Sequence, residues 1–143
     1  MCIPSDVAFL PDDRRLVVAE YDTVNGRNNR LELFDRFNGR SLGFLGCRGE
    51  TMQPLGVAVS CDRQHLAVTD CRAKIVRLVS LATGQSVIDI GKGQFGWPYG
   101  VAVTSHGQVL VHLSRQVGYN ALRMSAAIIR SPNSPRPTQS QPN

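Results

Sequence analysis

One short motif occurs three times in this chain: Pro4-Ser5-Asp6-Val7-Ala8, Pro54-Leu55-Gly56-Val57-Ala58 and Pro98-Tyr99-Gly100-Val101-Ala102. The prolines stand 50 and 44 residues apart, and a valine follows each at an almost constant distance, Val18 and Val68 at 14 residues and Val111 at 13. A period of this length kept in register points to a stacked repeat architecture, because each unit can bury its apolar faces only against its neighbours. The six extra residues of the first period fall between Glu20 and Arg30, where the second copy needs only Asp70 to Lys74. The insertion is therefore expected to sit in a turn and leave the strands untouched.

The second copy shows what one unit is. Residues 57–59, 66–68, 75–79 and 87–90 are apolar, β-branched runs too short for helices, broken by Ser60, Asp62, Asp70 and Thr83-Gly84. They predict a four-stranded meander whose edges and faces a single copy could not cover. The first copy aligns with it through strands near 6–9, 15–19, 30–34 and 41–45, with Asn38-Gly39 in the place of Thr83-Gly84. The third has His106-Gly107 in its first turn and Asn120 to Met124 as its third strand. Ala126 to Ile129 then reads either as a fourth strand or as the point where the sequence leaves the pattern. The units are 1–52, 53–96 and 97–130. Residues 131–143, with four prolines and nothing apolar, are expected to be disordered.

The run Pro-x-Gly-Val-Ala-Val, a polar turn, a Leu-Ala-Val-x-Asp strand and a Lys/Arg-Ile-x-x-Leu/Phe strand resembles the NHL repeat, over about residues 3–125 and most closely in the second copy. The first copy departs at Ser5-Asp6, where the glycine is missing, and at Glu20. The third departs at His112-Leu113-Ser114. A WD40 reading ranks behind it, since no Trp-Asp or Gly-His pair recurs at the repeat spacing. The resemblance implies blades of the kind that build six-bladed β-propellers in tripartite-motif ubiquitin ligases and related proteins. The fold class expected is thus all-β, a partial β-propeller of about three four-stranded NHL-type blades. Propellers close with four to eight blades, so three leave an open arc with two bare apolar flanks, and Cys2-Ile3-Pro4 leads straight into the first repeat. The missing blades are expected from a longer chain or from self-association.

Composition narrows the function classes. A formal net charge of +5 permits RNA or an acidic partner without requiring either. No stretch approaches the roughly 20 apolar residues of a membrane helix, and no basic start with an apolar run resembles a signal peptide. Cys2, Cys47, Cys61 and Cys71 include no Cys-x-x-Cys pair, so they read as turn and core fillers in a reducing compartment, and a cytoplasmic location is expected. No cofactor or metal is implied.

Function is then sought in loops. In an antiparallel meander of strands A to D, the B–C turns and the D-to-A crossings share one end of every blade, and the A–B and C–D turns share the other. The first end holds the candidate binding residues Tyr21, Arg27, Asn28, Asn29, Arg30, Arg48, Arg72, Lys92, Trp97, Tyr99 and Arg115, with Phe95 and Tyr119 alongside. The second end holds Arg14, Arg15, Arg36, Arg40 and Arg63 against Asp12, Asp13, Asp35 and Asp62, with Phe37 its one aromatic. Charge barely separates the ends, but aromatics do. Rings among arginines and asparagines suit a peptide or stacked bases, while blade packing is the competing account, favoured for Phe95 and Trp97 and level with binding for Tyr99. The expectation is a non-catalytic recognition module that binds a protein, which the resemblance implies is the substrate receptor of a tripartite-motif ubiquitin ligase, with RNA binding as the alternative. A metal-dependent lyase or lactonase is a distant third, since only Asp6 lies near the axis and His65, His106 and His112 share no ligand spacing. Asp70 and Glu20 read as turn-capping acceptors.

Overall fold

The computed structural model describes residues 2–24, 26, 28–46, 52–116 and 122–130, with 115, 116 and 122–130 described by backbone alone. The first sheet holds β1 (Cys2–Phe9), β2 (Arg15–Asp22), β3 (Arg30–Asp35) and β4 (Ser41–Leu45). The second holds β5 (Pro54–Val59), β6 (His65–Asp70), β7 (Ile75–Ser80) and β8 (Ser86–Ile90), and the third β9 (Trp97–Val103), β10 (Gln108–Gln116) and β11 (Leu122–Arg130). Each sheet is an antiparallel meander in chain order. No helix among the described residues is long and apolar enough to cross a membrane.

Turn chemistry repeats along with the strands. Asp13, Arg63 and Gly107 each lie nine residues after their repeat proline, and all three have positive φ, 55°, 58° and 77°. Each closes the A–B turn by donating its N–H to the carbonyl three residues back, Leu10, Ser60 or Thr104. Two of the copies hold this left-handed position without glycine, so the flanking strands impose it.

Two expectations need correction. The insertion does not leave the strands alone: β2 runs to Asp22 and pairs there with Cys2, so β1 and β2 are eight residues long where β5 and β6 have six. The third sheet is also not four-stranded among the described residues. β11 pairs with β10 without a break from Leu122–Gln116 to Arg130–Gln108, so Ala126 to Ile129 prolongs the third strand. Nothing between Met124 and Ala127 supplies the Gly, Asn or Asp that a hairpin turn needs. The tail from 131 lies outside the described residues.

The core consists of two joints between sheets. Val17, Ala19, Leu31 and Leu33 of the first sheet pack against Val57, Leu66, Val68 and Val79 of the second. On the other side of the second sheet, Ala67, Val76, Leu78 and Ile90 meet Val109 and Val111 of the third, with Phe95 closing the edge. The period-two alternation of strands thus assigns every position to the preceding or the following blade. Fully burying one such Val or Leu is worth about 1.5–3 kcal/mol. The first strands sit side by side, β1 beside β5 and β5 beside β9, as in a fan.

Candidate functional site

The strand order places the start of β5 and β9 at the same end as the B–C loops, and the candidate residues divide there by what holds them. Asn28 and Asn29 shape their own loop: Asn29 Oδ1 accepts the Asp22 N–H at 2.7 Å, and Asn28 Nδ2 donates to Asp22 Oδ2 at 3.2 Å. Asp22 also accepts the Val24 N–H at 3.0 Å. The turn-capping role expected of Glu20 has therefore moved two residues along, because the lengthened strand carries the turn away from Glu20. Asp70 does cap its turn, accepting the N–H groups of Arg72 and Ala73 at 3.1 Å each.

Arg30 is committed to the sheet. Its Nε lies 2.7 Å from Glu20 Oε2, its Nη2 2.9 Å from Glu32 Oε2, and its guanidinium lies over the Phe44 ring at 5.1 Å. Burial alone would lower its pKa; Glu20, then Glu32, outweigh that and raise it. The second sheet repeats the motif with other residues: Arg77 Nε lies 3.1 Å from Asp70 Oδ2, and Nη1 3.4 Å from Asp89 Oδ1. Both triads lie on the side of their sheet that faces the preceding blade position.

The aromatic rings exposed at this rim among the described residues are Trp97 and Tyr99, 49% and 44% accessible at the start of β9, with Lys92 in the crossing before them and Arg72 in the neighbouring B–C turn. Their strand is paired at Trp97 and Pro98, opposite Ser114 and Leu113, before a bulge at Tyr99 and Gly100, and the Tyr99 ring lies 6.3 Å from that of His112. Phe95 is buried in the second joint, so of the three alternating aromatics one packs and two do not. Tyr21 is half-buried beside Ile3. Arg27, Arg48 and Tyr119 lie outside the described residues, and Arg115 is placed by its backbone only.

The opposite rim holds a second ring, Phe9, besides the Phe37 that the sequence reading gave as its one aromatic. Phe37 is 74% exposed and Phe9 63%, and the Arg36 guanidinium lies over both, 4.9 Å from one centroid and 5.8 Å from the other. Phe9 was missed because it is a strand residue: it stands five residues after its proline, as Val59 and Val103 do, and those pack into the joints. It is exposed because no sheet among the described residues covers that side of the first blade. The charges here pair among themselves, Arg14 with Asp35 at 3.8 Å, Arg36 with Asp13 at 3.9 Å, and Arg15 with Asp12.

No three His, Cys, Asp or Glu side chains are grouped to hold a metal among the described residues. Asp6, the one carboxylate expected near the axis, accepts the N–H of Val57 in the next sheet at 2.9 Å. Burial, and then the Asp70 charge, push the Cys71 thiol up to about 11, which leaves it a core filler without thiolate character.

No protein-family model matches the chain, and no curated protein matches it. Among solved structures it is similar to hydrazine synthase of Kuenenia stuttgartiensis, with TM-score 0.59 and 21% identity over 85% of this chain and 32% of that one. It is also similar to a chain in the crystal structure of a nidogen/laminin complex, with TM-score 0.65 and 11% identity over 92% of this chain and 49% of that one. This chain therefore spans a third to a half of the chains it resembles. At such identities the likeness speaks to fold alone, and the fold is all-β, consistent with a partial β-propeller.

Proposed function

We propose that this chain is a non-catalytic recognition module, a set of NHL-type propeller blades that binds a protein through the rim carrying Trp97 and Tyr99. The observation that carries the reading is the exposure of these two rings on a strand paired with β10 on both sides of a bulge at Tyr99 and Gly100, beside Lys92 and Arg72. Rings presented from a rigid strand give large contact area with little ordering cost, the character of interface anchors. The carboxylates that chemistry would need are engaged otherwise, Asp6 and Asp70 by backbone N–H groups and Asp70 also by Arg77. A role as the substrate receptor of a ubiquitin ligase rests on the resemblance of the repeat alone. The chain of the nidogen/laminin complex, similar in fold, belongs to a protein assembly, which agrees with a binding role without naming a partner.

RNA binding is the weaker reading, because Arg30 is neutralised by two carboxylates. The test is to compare Trp97→Ala, Arg72→Ala and Phe37→Ala for retention of cell-extract proteins and of an RNA pool at several salt concentrations. Protein binding predicts a loss of about tenfold or more for Trp97→Ala, little salt dependence, and no change for Phe37→Ala. An RNA ligand would instead lose about 0.7 log units of affinity per phosphate contact per decade of salt. Losses confined to Phe37, Arg14 or Arg36 would move the site to the opposite rim.

A further inference from the structure

At the rim that carries Trp97 and Tyr99, the fold turns acids inward and leaves bases outside. Asp22 is 3% exposed and Asp70 not at all; both are engaged by their own turns, and Glu20 is held by Arg30. Arg72, Lys74 and Lys92 are exposed, and among the described residues no acceptor engages their side chains. Asp89 is the exposed acid at this end of the second blade among the described residues, and it shares Arg77 with Asp70. That triad leaves one negative charge against three cations, so a near balance in the sequence becomes a positive surface. The opposite rim differs, since Arg14, Arg15 and Arg36 each have an aspartate partner.

The three cations stand on pinned turns. Asp70 Oδ1 accepts the N–H groups of Arg72 and Ala73 at 3.1 Å and that of Gln53 at 3.2 Å, which ties the B–C turn of the second blade to the crossing before β5. Lys74 closes that turn with φ 58°, a left-handed conformation that non-glycine residues keep where the surrounding structure imposes it. In the crossing after β8, the Gln94 N–H donates to the Gly91 carbonyl at 2.9 Å, and the buried Phe95 ring lies where a Cβ on Gly91 would be. Val76–Ile90 is the last pair of the β7–β8 ladder at this rim, and Lys74 and Lys92 each lie two residues beyond it, so they leave the sheet side by side. The Thr69 hydroxyl, three residues before Arg72, donates to the Tyr99 carbonyl and brings the start of β9 beside the cations.

We infer, on the protein-binding reading of this rim, that the partner presents an acidic segment: an extended peptide whose Asp or Glu side chains meet Arg72, Lys74 and Lys92 and whose apolar residue lies on Trp97. Cations on fixed turns lose little backbone freedom on binding. A positive strip without counter-charges draws an acidic segment in and disfavours a basic one. Two of the three cations are lysines, compact point charges, whereas planar recognition of phosphate favours the guanidinium fork. The free fork among the described residues of this rim is Arg72, because Arg30 and Arg77 are committed to carboxylates. A short peptide carries no condensed counterion atmosphere to release, so the salt dependence stays well below that of an RNA.

The test is fluorescence anisotropy of the full chain with labelled probes at one ionic strength: a peptide of glutamates flanking a phenylalanine, the same peptide with every Glu replaced by Gln, and an oligouridine RNA. The Glu peptide should bind at least about tenfold more tightly than the Gln peptide, and the triple variant Arg72→Glu, Lys74→Glu, Lys92→Glu should lose at least about tenfold for it. Arg40→Glu, which reverses an exposed cation of the opposite rim, should bind as the parent does. Lys92→Glu alone removes no turn hydrogen bond; it should show a smaller loss in the same direction with the parent's melting curve, which separates lost binding from lost folding. Equal binding of the Glu and Gln peptides, or charge variants that bind the Glu peptide as the parent does, would overturn the acidic partner. If Trp97→Ala still loses cell-extract proteins in that case, the protein-binding rim stands without it; if Trp97→Ala loses nothing either, both fall. Tighter binding of the RNA than of the Glu peptide, lost in the same charge variants, would overturn it in favour of a nucleic acid.

Discussion

The first and second joints have the same strand geometry and nearly the same aliphatic filling, but different polar fastenings. In the first, the leading blade reaches forward from β1: Asp6 Oδ2 accepts the Val57 N–H at 2.9 Å, and Ser5 Oγ donates toward the Pro54 carbonyl at 3.3 Å. In the second, the leading blade reaches from β6, where Thr69 bonds its own Gly56 and the Tyr99 carbonyl ahead. The first fastening lies at a partly exposed place, whereas the second hangs on the hydroxyl of Thr69, a residue with no solvent exposure. Aliphatic packing therefore sets how far apart blades sit, and the polar groups set how tightly each neighbour is gripped. A hydrogen bond shut away from water leaves a costlier vacancy when removed than one that water can replace.

The sharpest way to break this comparison is Gly56→Val. Its side chain would strike the Tyr99 carbonyl and the Thr69 hydroxyl at once, so a loss of about 3 kcal/mol in urea unfolding is expected. An equal loss for Gly100→Val, whose Cβ would meet among the described residues only the His112 Cβ at 3.7 Å, would mean that the close approach of the Tyr99 carbonyl does not set the cost at Gly56. Next comes Thr69→Val, which keeps the shape but strands the Gly56 N–H and the Tyr99 carbonyl; about 2 kcal/mol should be lost. Asp6→Ala should cost less, about 1 kcal/mol, since Asp6 is itself only half-buried and water can take the place of its carboxylate. If Asp6→Ala proves the more harmful of the two, the ranking of the joints is reversed.

The smallest expected effect lies in the A–B turns. Burial would raise the Asp12 carboxyl, but the backbone N–H groups of Arg15 and Arg14, and then the Arg15 side chain, outweigh it and hold Asp12 at about 2. A carboxyl depressed in the folded state contributes stability that is complete above its unfolded value near 4 and is lost as pH falls toward 2. Asp62, at the same place in the second blade, is also lowered, by the Gln64 N–H and then His65 against the opposing effect of burial. The third blade has His106 there. Melting temperature should therefore fall modestly between about pH 4 and pH 2, and the parent should lose more over that window than the double variant Asp12→Asn, Asp62→Asn. Equal acid sensitivity of the two would remove these turns from the account.

Much of the fold could be read from residues because the repeat tied local signals together. The strand at 57–59 was recognised but begins at Pro54 in the structure, since the run of Leu55 and Gly56 has no apolar alternation to mark it. The merged β11 was not legible, because a strand end is marked by turn residues and the sequence there has none. The candidate rim was legible as a group of residue types and not as a group of free side chains. Arg30 belongs to a triad whose members come from β2 and β3, and Asn28 and Asn29 answer to Asp22, six and seven residues earlier.

The sequence alone determined the period, the meander within each blade, the turn positions and which side of each strand is apolar, because these follow from chain-local chemistry repeated at a constant spacing. The tertiary structure alone decided which apolar faces meet another sheet among the described residues and which do not, and so gave Phe9 and Val7 their meaning. The physical reason is that burial belongs to pairs of surfaces: Val57 and Val7 are the same residue at the same repeat position, yet one is 4% exposed and the other 54%, and only the presence of a neighbouring blade separates them.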